Sequence, residues 1–236
     1  LIDKNRKIKF FCDLNKISRS LRKRLNKVEF KETKLLNKVL SNIKKKKIIL
    51  DKNTCSFYFE ELILKNNEIL NFNDPIYYLK AIKSKKEIEN VKIAHIHDGA
   101  ALTKFLFWLK KNFNKKKITE ISASKKLYNF RKNSKKFKFL SFPTISGSGP
   151  NGAIIHYKPD KKTDRKLKKG DIYLVDSGGQ YEFGTTDVTR TISLDNSNNR
   201  IKNIFTRVLK GHIAVANYKL KKNTSGSQID VLARKY

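Results

Sequence analysis

The spacing of hydrophobic and polar positions predicts short, alternating strands and helices in the first third of the chain. The predicted strands are residues 7–12, 47–51 and 68–72, and the predicted helices are residues 17–25, 32–43 and 54–64. Strands that alternate with helices in this way are typical of an α/β layer in which at least part of the sheet is parallel.

The pattern changes after the turn Asn73-Asp74-Pro75, which we interpret as a linker. Apolar residues at helical spacing predict one long helix or two consecutive helices over residues 84–113, and further helices over 119–131, 199–220 and 226–236. Strand-like runs cover residues 153–157, 172–175 and 185–192, with breakers at 146–152 and 158–170. We therefore expect an α/β (α+β) chain with two domains, residues 1–73 and residues 74–236.

Two carboxylates, Asp176 and Asp187, fall at neighbouring strand positions. Asp176 closes the apolar run 172–175, Gly178 and Gly179 then turn or bulge the chain, and Asp187 lies in the next β-favouring stretch. Carboxylates that share a low-dielectric site repel, so one must hold a proton or a cation must lie between them. A metal site is the more economical interpretation. The alternative is that Asp176 caps a turn and Asp187 faces solvent.

Three blocks of sequence around these residues are similar to a known family. They are Asp171-Ile-Tyr-Leu-Val-Asp-Ser-Gly-Gly within residues 171–192, Phe142-Pro-Thr-Ile-Ser-Gly-Ser-Gly-Pro-Asn-Gly within residues 142–159, and Ala94-His-Ile-His-Asp-Gly-Ala-Ala-Leu102. Together with shorter matches at residues 80–83 and 208–214, this sequence resembles the aminopeptidase P (Xaa-Pro aminopeptidase) branch of the creatinase and methionine-aminopeptidase superfamily. Ordered blocks at family spacing are far more specific than one short motif.

The resemblance implies a fold and a set of site residues. Residues 74–236 would be the first half of a pita-bread catalytic domain, and residues 1–73 would be the end of a creatinase N-terminal-type α/β domain, as in longer three-domain members. Asp176 and Asp187 would be the first two of five protein ligands to two divalent metal ions, with Asp187 bridging both. Manganese is the expected metal, with zinc or cobalt as alternatives. His156 would contact the substrate near the scissile bond. His97 departs from the arginine that relatives commonly carry.

The composition limits the partners that we expect. Lys and Arg number 54 against 21 Asp and Glu, which gives a formal net charge of +33. The lysines are spread along the whole chain, which suggests compositional bias, so we do not expect nucleic acid to be the main partner. No apolar run is long enough to span a bilayer, and we expect no membrane partner. Two cysteines, Cys12 and Cys55, are too few for a disulfide framework, and a reducing, cytoplasmic location fits best.

Two other motifs invite competing interpretations. Gly147-Ser-Gly-Pro-Asn-Gly152 matches a dinucleotide fingerprint, but a strand-like run follows it where a phosphate-binding loop requires a helix. His95 and His97 are two residues apart on a predicted helix and therefore point away from each other, which argues against a shared metal. A histidine that follows two isoleucines, as His156 does, is ordinarily a core residue, and the block match favours the functional role instead.

The resemblance implies a metal-dependent aminopeptidase that releases the N-terminal residue from peptides with proline at position two, and that forms a homodimer when full length. The chain starts at Leu1 and contains no methionine, and we expect it to be an internal piece of a longer protein. The remaining ligands, a histidine and two glutamates, would follow residue 236, so the piece alone should be inactive. The alternatives are a catalytically silent pita-bread module that binds peptide, histone or RNA, and a prolidase that cuts only dipeptides.

Overall fold

A computed structural model describes residues 1–195 and 197–236. The chain forms two compact units, Leu1–Ile82 and Lys83–Tyr236. The turn predicted to be a linker begins a short helix instead, because the Asp74 carboxylate caps it by accepting a hydrogen bond from the Ile76 N–H (2.8 Å). The domain division at residues 73 and 74 stays a prediction.

The first unit has the alternation that the sequence predicts. Its elements are β1 (Ile8–Cys12), α1 (Arg19–Arg24), β2 (Val28–Glu32), α2 (Leu36–Ser41), β3 (Lys47–Leu50), α3 (Phe57–Leu64), β4 (Glu68–Asn71) and α4 (Pro75–Ala81). Strand β1 pairs in parallel with β2, and β3 pairs in parallel with β4. A helix lies in the connection between the strands of each pair, so the predicted α/β class with parallel pairing is confirmed.

One stretch of the first unit differs from its prediction. The helix expected over residues 32–43 is limited to α2, because Glu32 still belongs to β2 and Thr33–Leu35 forms a 3₁₀ turn. Strand β2, Val-Glu-Phe-Lys-Glu, was not predicted. Three of its five residues are charged, and its side chains remain at least partly exposed, so its pattern lacks a clear apolar face.

The second unit contains α5 (Lys85–Asn112), α6 (Glu120–Lys132), β5 (Phe137–Leu140), β6 (Ile145–Ser148), β7 (Ile172–Ser177), β8 (Gly179–Tyr181), β9 (Val188–Ser193), α7 (Asn199–Ala216) and α8 (Gly226–Arg234). Of the two possibilities left open for residues 84–113, one continuous helix is the observed one. A capping box starts α5, in which the Ser84 hydroxyl accepts from the Glu87 N–H and the Glu87 carboxylate accepts from the Ser84 N–H.

An antiparallel sheet of β6, β7 and β9 lies at the centre of the second unit, and β5 pairs antiparallel with β8. Alternate residues of β7, namely Tyr173, Val175 and Ser177, are buried. Tyr173 and Val175 join a cluster with apolar residues of α5 and α6: Leu102, Phe105, Leu109, Ala123 and Leu127. The helices therefore cover one face of this sheet, and the side chain of Asp176 belongs to the opposite face.

Within residues 1–195 and 197–236, no helix is long and apolar enough to cross a membrane.

Candidate metal centre

Asp176 is the next-to-last residue of β7 and carries an unpartnered oxygen. Its side chain is half-buried, and its Oδ1 atom is buried without a hydrogen-bond partner among the residues that the structure describes. Burying a polar oxygen without a partner costs about 1–3 kcal/mol, and more when the group is charged. A cation bound at this oxygen would remove that cost, so the chemistry of the site fits a metal ligand.

The strand register brings Asp187 to the same face as Asp176. Asp176 pairs with Thr189 of β9, and Ser177 pairs with Val188. Opposed residues of an antiparallel pair share a face, and side chains alternate along a strand. Asp187 lies two residues before Thr189, just ahead of β9, so continuing this alternation by one residue puts it on the Asp176 side. Asp187 is exposed. The shared metal site stays a prediction, and so does the alternative in which Asp176 caps a turn and Asp187 faces solvent.

The backbone just before Asp187 is held against Gly179, the first residue of β8, and against Ser141. The Thr186 N–H donates to the Gly179 carbonyl (2.9 Å), the Gly179 N–H donates to the Thr186 hydroxyl (2.9 Å), and the Ser141 hydroxyl donates to the Thr186 carbonyl (2.9 Å). These bonds limit how far Asp187 can move from β7. In the chain as described, without residue 196, no three His, Cys, Asp or Glu side chains are grouped to hold a metal ion, so Asp176 and Asp187 account for at most two ligands.

Gly178 is required for this close approach. A Cβ atom added at Gly178 would lie 1.9 Å from the Thr186 carbonyl oxygen and 2.3 Å from the Ser141 hydroxyl. We expect Gly178→Ala to lower the unfolding free energy by about 1–3 kcal/mol, because backbone atoms must move to make room. Urea unfolding followed by the fluorescence of Trp108, the single tryptophan, measures this change.

Gly99 in α5 provides the matched control, because a Cβ atom there would meet nothing within 4 Å. Gly99→Ala should raise stability by roughly 0.5–1 kcal/mol, since alanine is the better helix former. Equal effects of the two substitutions would contradict the packing argument.

His156 lies in a turn, and the strand predicted over residues 153–157 is wrong. Gly149–Ala153 forms a 3₁₀ helix, and His156 follows it with φ at 56° and an exposed side chain. The interpretation of His156 as a core residue is therefore also wrong. The predicted breaker at 146–152 begins later than expected, because Ser146 to Ser148 belong to β6.

The 3₁₀ helix folds back over the face of the sheet that carries Asp176. Gly147 pairs with Leu174, two residues before Asp176 on the same face. A Cβ atom on Gly147 would lie 2.9 Å from the Gly152 backbone, and one on Gly152 would lie 3.7 Å from the Leu174 Cβ. The loop that leads to His156 therefore lies on the side of the sheet where both aspartates are found.

The remaining histidine candidates behave as ordinary helix residues. The Nδ1 atom of His95 lies 2.9 Å from the Val91 carbonyl one turn earlier, and the exposed His97 ring packs beside Tyr181 and Phe183, with centroids 6.2 Å and 5.8 Å away. Neither belongs to a grouping that could hold a metal in the described part of the chain.

Sequence reasoning missed a buried polar network behind β7. Arg131 and Asp98 are almost fully buried and form a bidentate pair, with Nε to Oδ1 at 2.7 Å and Nη2 to Oδ2 at 3.0 Å. Arg131 Nη2 also donates to the Ser177 hydroxyl (3.0 Å), and the Tyr181 hydroxyl donates to Asp98 (2.9 Å). Burial, followed by the charge of Asp98, raises the pKa of Tyr181 far above its ordinary value, so this tyrosine stays a donor.

A second buried acid, Glu120, was also missed. Its side chain is fully buried at the first turn of α6 and accepts hydrogen bonds from residues on both sides of His156. A signal for both acids was present in the sequence. Asp98 continues the buried stripe Ala94, Ala101, Phe105 of α5, and Glu120 and Arg131 continue the stripe Ala123, Leu127 of α6. A charged residue in phase with an apolar stripe predicts a buried, paired charge.

Comparison with known proteins agrees with this geometry. The family model described as "Metallopeptidase family M24" matches residues 89–236, and the model described as "Creatinase/Prolidase N-terminal domain" matches residues 1–87. The chain belongs to metallopeptidase family M24. The M24 model begins within α5, and its match includes Asp176, Asp187 and His156.

Several relatives of this M24 chain carry the name Xaa-Pro aminopeptidase. It is 44% identical over 183 residues to Xaa-Pro aminopeptidase ApepP of Drosophila melanogaster, a match that covers 77% of this chain and 30% of that protein. It is 49% identical over 162 residues to a probable Xaa-Pro aminopeptidase P of Laccaria bicolor, which covers 68% of this chain and 25% of that protein. The chain therefore spans less than a third of the length of these relatives.

Solved structures show the same architecture. An X-prolyl aminopeptidase from Caenorhabditis elegans, described as a cytosolic enzyme with a di-nuclear active site, matches with a TM-score of 0.85 and 31% identity, over 98% of this chain and 39% of that chain. An Xaa-Pro dipeptidase from Bacillus anthracis matches with a TM-score of 0.73 and 22% identity, over 96% and 63% of the two chains, and supports the fold alone. The part of the chain that matches the M24 model, residues 89–236, thus has the pita-bread fold, and a creatinase N-terminal-type domain precedes it, as expected from the sequence.

Proposed function

We propose that the protein is a metal-dependent aminopeptidase that removes the N-terminal residue from peptides with proline at position two. Family membership and the names of the relatives support the reaction class. The observation that carries the proposal is the buried, unpartnered Oδ1 of Asp176. The register of β7 and β9 supports it, because its continuation by one residue puts Asp187 on the same face of the sheet. This carboxylate oxygen accepts no hydrogen bond from a described residue, so a bound cation would compensate its buried charge.

Asp176 and Asp187 would hold two divalent ions, with manganese as the proposed metal and zinc or cobalt as alternatives. When bound, such ions supply an acidified water and polarise the carbonyl that precedes proline. Other residues of this chain would bind and orient the substrate. His156 would donate a hydrogen bond to the substrate near the scissile bond, and the glycine-rich loop 149–152 would form a wall of the cleft. Function as a cytoplasmic homodimer belongs to the same proposal.

The test uses a panel of peptides with the full-length protein. Arg-Pro-Pro should be hydrolysed between Arg and Pro, whereas the dipeptide Arg-Pro should be a poor substrate and Arg-Ala-Ala should not be cut. Chelation with EDTA should remove the activity, and added manganese should restore it, because the ligand set holds a removable cation. The 236-residue chain alone is the control and should show no hydrolysis with manganese.

Each alternative gives a different result in this panel. Cleavage of the dipeptide but not the tripeptide would indicate a prolidase. Absence of hydrolysis by the full-length protein, with retained peptide binding, would indicate a binding module and would reject the proposed function. Robust activity of the 236-residue chain alone would show that ligands beyond Asp176 and Asp187 are not needed.

A further inference from the structure

Glu120 is an acid in the protein interior with only neutral partners. Its carboxylate is fully buried and accepts hydrogen bonds from a tyrosine hydroxyl, a side-chain amide and two backbone N–H groups. The donors are Ser148 N (2.7 Å), Tyr157 Oη (2.7 Å), Arg165 N (3.1 Å) and Asn151 Nδ2 (3.1 Å to each carboxylate oxygen). A buried carboxylate is costly, so one that is so fully hydrogen-bonded has a specific structural task.

The donors to Glu120 bracket His156 along the chain. Ser148 and Asn151 precede it, at the end of β6 and within the 3₁₀ helix, and Tyr157 follows it directly. The backbone of Glu120 reinforces the anchor, because its carbonyl accepts from the Ser146 hydroxyl (2.8 Å) and its N–H donates to the Arg165 carbonyl (3.0 Å). One glutamate thus fixes both the entry and the exit of the loop that presents His156.

The position of His156 depends on this anchor, because the ring has no hydrogen bond of its own to a described residue. The side chain is exposed, the neighbouring Ile155 is 85% exposed, and the backbone of His156 adopts the left-handed region at φ 56°. A residue other than glycine keeps that conformation when its surroundings impose it. In this loop the fixed neighbour is Tyr157, which is buried and bonded to Glu120.

We propose that Glu120 is a positioning residue for His156, and that it acts on catalysis by holding the loop 148–157 in the one conformation that presents the His156 ring to substrate. The proposal rests on the proposed function, because it assigns His156 a contact with substrate. It adds Glu120, a buried residue of α6, to the residues that affect the reaction, although Glu120 itself is not expected to contact substrate or metal.

Glutamine is the informative replacement for Glu120. It has the same size, but its amide group supplies donors where the carboxylate only accepts, so at least one of the surrounding N–H or O–H groups loses its acceptor. Glu120→Gln should therefore release the loop while leaving the packing of α6 in place. Tyr157→Phe is a milder second variant. It removes only the hydroxyl by which Tyr157, the residue next to His156, donates a hydrogen bond to Glu120.

The experiment is a double-mutant cycle in the full-length protein with Arg-Pro-Pro as substrate. Glu120→Gln should lower kcat/KM by on the order of 10- to 100-fold, since misplacing a substrate-positioning group by about 1 Å has effects of that size. In a His156→Ala background the same change should lower kcat/KM by less than about twofold, because the group that it positions is gone. Tyr157→Phe should show the same dependence on His156, with a smaller loss.

Leu127→Ala provides the control for a purely structural effect. Leu127 is fully buried on the same helix, in the apolar core, so its truncation lowers stability without touching the loop. Its effect on kcat/KM should be the same with and without His156. Binding of manganese, measured by calorimetry, should be unchanged in Glu120→Gln.

The outcomes separate this inference from the proposed function. If the wild-type protein hydrolyses Arg-Pro-Pro and His156→Ala lowers the rate, but Glu120→Gln acts equally in both backgrounds or has no effect, the positioning role is rejected and the proposed function stands. If His156→Ala leaves the rate unchanged, the role of His156 and the positioning role both fail. If the wild-type protein shows no hydrolysis, the proposed function fails and the inference fails with it.

Discussion

Replacing Asp176 by asparagine in the full-length protein is expected to lower kcat/KM for Arg-Pro-Pro by on the order of 10³-fold while the fold stays intact, since the proposed cations would supply several kcal/mol of transition-state stabilisation. Asparagine keeps the shape of the side chain and removes its charge and one of its two acceptor oxygens. Asp187→Asn should behave in the same way, because the register of β7 and β9, continued by one residue, puts Asp187 on the same face of the sheet. Steady-state kinetics with manganese in excess measure both losses.

The stability of the same variant gives an independent readout. Without metal, the buried Oδ1 of Asp176 has no partner in the described chain, so asparagine, which carries no charge, should leave the Tm equal or slightly higher. With manganese, the wild-type Tm should rise because the ion binds only the folded state, and the variant Tm should not follow it. With manganese the wild type should therefore have the higher Tm, although without metal it has no advantage over the variant.

Asp230 supplies the matched control for this prediction. It is an exposed acid on α8 that pairs with Arg234 one turn later, and Asp230→Asn should change neither kcat/KM nor the response to manganese. Activity of Asp176→Asn close to that of the wild type would remove Asp176 from the ligand set. It would also leave the buried oxygen without an explanation.

The sequence predicts well those elements in which a regular spacing of apolar residues continues along the whole element. Helix α5 has apolar residues at helical spacing over most of its length, and β7 begins with the β-branched and aromatic run 172–175 that precedes Asp176. Both follow from periodicity. The pairing of β7 with the strand that follows Asp187 also agrees with the sequence, which predicts a strand, a short reversal and a second strand.

The parts that were wrong depend on residues far away along the chain. The run Ala153-Ile-Ile-His-Tyr157 has strand-like composition, yet it forms a turn because Glu120, 37 residues before Tyr157, holds the tyrosine hydroxyl. Asp98 lies within the block 94–102, and no residue of that block shows that its partner is Arg131, 33 residues later. Local propensity gives way to such tertiary contacts, and a single sequence does not show which distant residues meet.

Replacing Arg131 by methionine is expected to cause a large loss of stability, because it breaks the buried Asp98–Arg131 pair. The substitution leaves the Asp98 carboxylate buried with the Tyr181 hydroxyl but without its cation. An uncompensated buried charge of this kind costs about 3–5 kcal/mol. Urea unfolding of the 236-residue chain, followed by Trp108 fluorescence, should show the unfolding midpoint at a lower urea concentration, by an amount that corresponds to this loss. The variant should also lose activity, because Ser177, which accepts from Arg131, adjoins Asp176.

The double replacement Asp98→Leu with Arg131→Met decides whether the charge or the packing is responsible. Removing both charges leaves no unpaired ion, and the Nη1 atom of Arg131, which is buried and has no partner among described residues, is removed as well. The double variant should therefore recover most of the lost stability, as apolar replacements of buried ion pairs often do. Lys138→Met, which breaks an exposed pair with Glu182, should have no measurable effect. If the double variant is as unstable as Arg131→Met alone, the loss comes from packing and the electrostatic explanation is rejected.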